Sequence, residues 1–426
     1  MNKELNISYD ILSRVYLDNS YVSIELNKYL NKSGDFNSSL VTKIVYGVLE
    51  KDIMLEYFIG GFVKKLPEPK ILILLKIVAF ASKAVNSIPH FALVNEIVSI
   101  SKRVDRHQSG FVNAVSKKLV SSQIVLPDKK NLNKYLSVKY NYPEWVISEL
   151  MKSHSSDFVT DLVSTELTNL THIRVNLNRI NSSDFKHMLD EKEISYSPSV
   201  YDYTLYVDYA KLLKCSELKD CYIVQGLPSI ITCNVLGASS GRVLDVCAAP
   251  GGKSVYLAQN SNIQVYSCDI HPHRVELIKK YAESVGVKLK TCVQDATKTV
   301  DKWCGQFDYV MCDVPCSNIG VSRKKPDVFL NKSLSDMKTL AGLQYQILEN
   351  SAKYVKSGGV LQYSTCTILE EENQKVIRKF LKQHKDFELS PIDFGELNIH
   401  DDNNMYTFYP NLTKTEGFFV GRLVRK

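Results

Sequence analysis

From about Tyr222 to Cys366 the chain repeats one pattern: a short apolar run, a turn, then a helical stretch. The runs are "GRVLDVC", "NIQVYSCD", "VKLKTCV", "FDYVMCD" and "GGVLQYSTC". Runs this short, separated by segments of helical period, predict β-strands linked by crossover helices. The clearest crossover is "MKTLAGLQYQILENSAKYV", where Leu340, Leu343, Ile347 and Ala352 share one face. Strands alternating with helices imply a doubly wound, mostly parallel sheet, and such sheets bind ligands beyond the carboxyl ends of their strands. What stands at those ends therefore decides what the chain does.

The first end, "VLDVCAAPGGKS" from Val243 to Ser254, closes like a phosphate-binding P-loop. A P-loop needs an opening glycine five residues before its Gly-Lys-Ser. Cys247 stands there instead, and Pro250 removes an N–H from any phosphate nest. The dinucleotide pattern G-x-G-x-x-G is also absent. What remains is a strand ending in Asp245 and a loop of small residues, which lets a ligand approach the backbone closely. A carboxylate there suits a cationic or amine-bearing ligand, and S-adenosylmethionine carries both a sulfonium and an amino group. Asp269, in "SCDIHPHR", ends the second strand where α/β folds place an acid on ribose hydroxyls. Asp295, in "CVQDAT", follows the third strand, placed to accept from an adenine amino group. Each acid alone is more often a helix cap or a loop residue. Three at successive strand ends favour the methyl donor.

All ten cysteines lie between Cys215 and Cys366. No C-x-x-C and no neighbouring histidine pair occurs among them, so no metal site is expected. In a reducing compartment they should be free thiols, and most should be small buried residues. Two stand in turns just past predicted strands: Cys316 in "CDVPCSNIG" and Cys366 in "QYSTCTILEEEN". Carbon 5 of cytosine is too weak a nucleophile to take a methyl group unaided. A thiolate adding at carbon 6 makes it enamine-like. A group near N3 must then stabilise charge on the ring, and a base must remove the carbon 5 proton. Asp313, Cys316 and Cys366 supply that set of parts.

The rest of the chain is organised differently. Its first ~120 residues carry a helical period, as in "LNISYDILSRVYLDN" with Leu5, Tyr9, Leu12 and Tyr16. Gly60-Gly61 marks a break, and "ILILLKIVAFA" is too short to span a bilayer and carries Lys76, so a core helix is expected. Between Pro127 and about Cys221 the pattern turns to short mixed elements, with "HIRVNLN" and "SVYDYTLYV" as strands. The division expected is 1–125 all-α, 126–221 a connecting α/β subdomain, and 222–426 catalytic. A net charge of +7 leans toward a polyanionic partner. The N-terminus lacks a secretory pattern, which points to the cytoplasm, and no coiled coil is present, which points to a monomer.

The strand-end set "LDVCAAPGGKS", "CDVPCS" and "YSTCT", in that order, resembles the RNA cytosine-5 methyltransferases. "VYGVL" and "GFVNAV" in the helical part resemble the NusB-type RNA-binding fold, and "YPEWVISEL", "HIRVN" and "EGFFVGRL" match the same family's connecting and terminal segments. Together they resemble its bacterial branch, which methylates a cytosine of small-subunit (16S) ribosomal RNA. The resemblance implies a Rossmann-like S-adenosylmethionine methyltransferase domain behind a NusB-like domain. It implies that Cys247, Ala248, Ala249, Pro250, Gly251, Gly252 and Lys253 form the cofactor loop, with Asp269, Asp295 and Asp313 as cofactor-binding acids. It further implies that Cys366 is the nucleophile and Cys316 the thiol that assists product release. Cytosine-5 DNA enzymes attack with the Pro-Cys thiol instead, and the presence of both motifs favours RNA.

Two departures matter. Where the family has Gln-Asp, this chain has Gln225-Gly226, and where it has Cys-Ser-Gly, this chain has Cys316-Ser317-Asn318. The first motivates a rival reading, a non-catalytic ribosome-assembly factor on the same fold. "SRKKPD", Ser322 to Asp327, is either a solvated turn or a phosphate contact through Arg323, Lys324 and Lys325. The contact is the expectation carried forward.

Overall fold

The computed structural model describes residues 2–30, 36–330 and 332–426. The chain forms two compact units, one of Met1–Ser164 with Ser322–Leu334, the other of Thr165–Val321 with Ser335–Lys426. Residues 126–164 thus group with the helices, and 165–221 with the sheet that follows them.

The first unit is all-helical among its described residues, with Asn2–Leu17, Ser38–Glu50, Pro69–Ala84, His90–Val104 and Ser109–Ser121 around one apolar core. Pro69 opens its helix at a position where a missing N–H costs nothing. Lys76, in the middle of that buried helix, is paired at 2.5 Å with Asp52 and at 3.0 Å with Glu56. Removing one partner from so buried a pair typically costs about 3–5 kcal/mol. A strip from the far end of the chain completes this unit. Phe329 packs against Tyr142 with ring centroids 5.1 Å apart, Asp327 accepts from the Val22 N–H at 3.2 Å, and Leu330 lies against the apolar core.

The second unit holds two sheets. The smaller contains β1 (Thr171–Val175), β2 (Tyr196–Pro198), β3 (Thr204–Val207) and β4 (Tyr222–Val224), antiparallel in the order β2-β3-β1-β4. "SVYDYTLYV" is therefore strand only in its second half; the residues before Thr204 form a turn closed by the Thr204 hydroxyl and the Tyr201 backbone.

The larger sheet contains β5 (Gly241–Asp245), β6 (Ile263–Asp269), β7 (Lys290–Val293), β8 (Phe307–Asp313), β9 (Val355–Thr365), β10 (Phe387–Leu389), β11 (His400–Asp401), β12 (Met405–Phe408) and β13 (Phe418–Arg425). Its order is β11-β12-β13-β9-β8-β5-β6-β7, with β10 on β13. The strands β7-β6-β5-β8-β9 are parallel, and β13 runs antiparallel to β9. All five runs read from the sequence are strands of this parallel core. The chain winds outward from β5 to β7, then restarts on the other side at β8. That reversal opens a crevice at the carboxyl ends of β5 and β8. Among the described residues no helix is long and apolar enough to cross a membrane.

Candidate active site

Asp245, at the end of β5, is buried, and its Oδ2 accepts from the Ser254 hydroxyl at 2.7 Å. Its Oδ1 is buried with no hydrogen-bond partner. Burial pushes this carboxyl up to about 7. The loop that follows is tied to β6 by the Ala248 N–H on the Cys268 carbonyl at 2.8 Å. It enters the helix Gly252–Ala258 through Gly251 at φ 109°, where a Cβ would stand 3.3 Å from Ile278. The positive φ is what calls for glycine here, and the tight approach to Ile278 adds to it. A buried, unpartnered carboxylate oxygen beneath a loop of small residues fits the cationic end of S-adenosylmethionine.

Lys253 does not extend toward a phosphate position. Its Nζ lies 2.6 Å from Asp313 Oδ2 at the end of β8. Burial works against this ammonium, and the Asp313 charge more than offsets it, raising its pKa. The β8–β9 register sets Asp313 opposite Ser364, whose hydroxyl donates to Asp313 Oδ1 at 2.9 Å. Asp269, at the end of β6, is nearly buried and accepts from the His271 N–H at 3.0 Å. Asp295 closes its own turn, accepting from the Thr297 N–H at 3.0 Å and hydroxyl at 2.7 Å, and these bonds hold its carboxyl below the usual range.

The two thiols meet. Cys316 Sγ and Cys366 Sγ are 3.2 Å apart, although fifty positions separate them in the chain. Cys316 is buried and Cys366 half-buried. The Cys316 thiol is pushed well up by its bond with Cys366, then by burial and the Glu372 charge. Asn318 Oδ1 lies 2.7 Å from Cys366 Sγ and 3.9 Å from Cys316 Sγ. Asn318 has φ 61°, the left-handed region that Gly and Asn tolerate best, so the departure from the expected glycine keeps the loop's shape. Gly320 takes the Cys366 carbonyl on its N–H at 3.1 Å, and its own carbonyl accepts from Gly417 at 2.8 Å. A Cβ on Gly320 would stand 2.2 Å from the Gly417 oxygen, so the "EGFF" segment is packed directly against the thiol loops.

Position 226 has a local explanation as well. A Cβ on Gly226 would lie 3.6 Å from both carboxylate oxygens of Glu416, so an acid there would grow toward an existing charge. Arg323 is engaged within the helical unit, donating to the Val163 carbonyl with its guanidinium 5.3 Å from the Tyr142 ring centre, while Lys324 and Lys325 are exposed. Sequence reasoning missed Glu372, Asn373 and Gln344, all three fully buried around the thiol loops.

A five-stranded parallel core extended by an antiparallel β13, with the ligand edge just described, is a Rossmann-like S-adenosylmethionine-dependent methyltransferase fold. Residues 236–424 match the family model described as 16S rRNA methyltransferase RsmB/F, and residues 3–121 match the NusB family. A relative from Bacillus subtilis (strain 168), named probable ribosomal RNA small subunit methyltransferase B, is 30% identical over 99% of this chain and 98% of its own length. One from Yersinia enterocolitica, named ribosomal RNA small subunit methyltransferase B, is 25% identical over the same shares. Among solved structures, PH0851 superposes with a TM-score of 0.84 at 24% identity, covering 100% of this chain and 99% of that one. A methyltransferase homologue from Pyrococcus horikoshii gives 0.59 at 22% identity, covering 70% of this chain and 99% of that one. The chain belongs to the RsmB/F family of methyltransferases, with a NusB-family domain ahead of the catalytic one.

Proposed function

We propose that this chain methylates carbon 5 of one cytosine in small-subunit ribosomal RNA, through a covalent bond between Cys366 and the base. The observation that carries the reading is the pair of thiols 3.2 Å apart beside the Asp313–Lys253 pair, at the carboxyl ends of β8 and β9. The printed names of the relatives supply the substrate class.

When bound, S-adenosylmethionine supplies an electrophilic methyl group on a sulfonium. Asp245 holds the cationic end through its unpartnered oxygen, and Asp269 holds the ribose hydroxyls. Asp295 closes a turn through one oxygen, and its other oxygen, 3.6 Å from the Lys298 ammonium, turns from that pair to accept from the adenine amino group. Cys366, the more exposed thiol, gives up its proton to solvent and adds as the thiolate to carbon 6. Asp313, kept in place by Lys253 and Ser364, faces N3 and, entering this step protonated, donates to N3 as negative charge develops on the ring. Cys316 then takes the carbon 5 proton so that the Cys366 sulfur leaves.

Bisulfite mapping of ribosomal RNA from cells with and without the gene tests the reading. One 5-methylcytosine should vanish from the small-subunit RNA on deletion and return with the wild-type gene. An unchanged map would overturn it.

Lys324 and Lys325 are proposed to meet RNA phosphates, with Arg323 anchoring their segment from within the helical unit. Replacing both lysines by alanine should reduce the slope of log affinity against log salt by about 2. An unaltered slope would return this segment to a solvated turn.

A further inference from the structure

Two adjacent residues, Glu372 and Asn373, are fully buried: Asn373 grips the Cys366 loop, and Glu372 chiefly the Cys316 loop, with a further bond to Thr367. Asn373 Oδ1 accepts from the Thr365 hydroxyl at 2.6 Å, and its Nδ2 donates to the Thr367 carbonyl at 3.0 Å. Those are the residues on either side of Cys366. Glu372 does the same for Cys316. Its Oε1 accepts from the Ser317 N–H at 2.8 Å, and its Oε2 accepts from the Ser317 hydroxyl at 2.5 Å. Gln344 Nε2 bridges Glu372 Oε1 and the Pro315 carbonyl, at 2.9 Å to each. Pro315 and Ser317, flanking Cys316, are therefore held from one carboxylate. The Tyr363 hydroxyl fixes the Glu372 backbone through its carbonyl at 2.5 Å.

So buried a carboxylate is costly unless its bonds are made. Burial pushes the Glu372 carboxyl up, and the donations from Ser317 and Gln344 work against that rise. A purely apolar wedge would fill the space. A carboxylate with donors from Ser317 and from Gln344, on the helix Leu334–Ala352, fills it and also holds the Cys316 loop in place.

We propose that Glu372 is a positioning residue for the release half of the reaction, holding the Cys316 loop so that its sulfur meets the carbon 5 proton. This rests on the reading above that Cys366 attacks and Cys316 assists release. By that step the Cys366 sulfur is bonded to carbon 6, so its hydrogen bond with Cys316 is gone, and Cys316 enters deprotonated with its own proton passed to solvent. The carbon 5–hydrogen bond breaks and the proton passes to the Cys316 sulfur. The electron pair left behind forms the carbon 5–carbon 6 double bond. The bond from carbon 6 to the Cys366 sulfur breaks, and its pair returns to that sulfur. Attack needs the Cys366 loop, which Asn373 holds on both sides of the cysteine, whereas the Cys316 loop depends on Glu372 directly and through Gln344, so losing Glu372 should fall mainly on release.

The test uses full-length protein, S-adenosylmethionine and two small-subunit RNA transcripts, one ordinary and one carrying 5-fluorocytosine. Fluorine replaces the proton that Cys316 would remove, so the second RNA reports attack alone. Glu372→Ala should capture the fluorinated RNA within about twofold of wild type. On ordinary RNA its turnover should fall about 100-fold, the loss expected when a base is no longer positioned, while covalent adduct accumulates. Glu372→Gln, which keeps an acceptor for the Ser317 N–H, should recover much of the turnover. Equal losses of capture and turnover in Glu372→Ala, or unchanged turnover, would overturn the proposal. A Cys366→Ala protein that still captures the fluorinated RNA would overturn the underlying thiol assignment, and this inference with it.

Discussion

Cys366→Ala is expected to abolish covalent capture of RNA and turnover together, while Cys316→Ala captures RNA and then stalls with it attached. The thiols lie 3.2 Å apart, so either reaches a base placed between the strand ends, and proximity alone does not assign the attack. Exposure and burial favour Cys366 for the attack. Cys366 is the more exposed of the two. The Cys316 proton is held on by the bond with Cys366, by burial and by the neighbouring Glu372 charge. A sulfur that keeps its proton is a poor first nucleophile. Deleting a nucleophile in other covalent enzymes costs on the order of 10⁶ in kcat, and a loss of at least ~10⁴ is expected for Cys366→Ala. Denaturing gels on ordinary RNA read the outcome, with a persistent protein–RNA band for Cys316→Ala and none for Cys366→Ala. The reverse pattern would give Cys316 the attack, as in the cytosine-5 DNA enzymes.

Cofactor affinity should tighten about tenfold between pH 6 and pH 8, with a proton released on binding near neutrality. The cause is Asp245, whose carboxyl is pushed up to about 7 by burial, against the partial help of the Ser254 hydroxyl. Protonated, it offers the cationic end of S-adenosylmethionine little. Ionised, it attracts that end strongly, because the surroundings screen poorly. With a pKa near 7 its ionised fraction rises from roughly one tenth at pH 6 to nine tenths at pH 8. The sign for stability is opposite. A carboxyl raised on folding favours the folded state where it stays protonated, so the cofactor-free protein should lose this contribution as pH rises from about 4 through 7. Calorimetry in buffers of different ionisation enthalpy measures the proton release. Asp245→Asn should flatten the affinity profile across this range and weaken binding at pH 8. A wild-type profile that is flat between pH 6 and 8 would remove Asp245 from the cofactor site.

Much of this architecture was legible in the chain, and particular residues show where legibility stopped. The five strands could be read because a parallel strand buried on both faces is a short, nearly continuous apolar run. The strand-end acids and thiols could be read because a doubly wound sheet fixes where its ligand edge lies. Gln344 was invisible: it occupies a buried position on a helix otherwise read by its apolar period, and a lone polar residue breaks that period without explaining why. Glu372 and Asn373 were hidden in "EEEN", which looks like a solvated acidic turn until the fold closes over it. Asn318 appeared only as a missing glycine. Its left-handed backbone accounts for that exchange, and its carboxamide reaches both sulfur atoms. The docking of residues 322–330 depends on partners some 160 to 300 positions away, which no local pattern encodes.

That docking orders events during synthesis. The helical unit emerges from the ribosome first, yet its last piece, Ser322–Leu334, follows 157 residues later, the span from Thr165 to Val321. At typical elongation rates of about 5–20 residues per second, the wait is roughly 8–30 s. Throughout that interval Tyr142 lacks Phe329 and the Val22 N–H lacks Asp327. The first unit to be made is thus among the last to be finished, and the nascent chain carries an open apolar seat for a segment still to be translated.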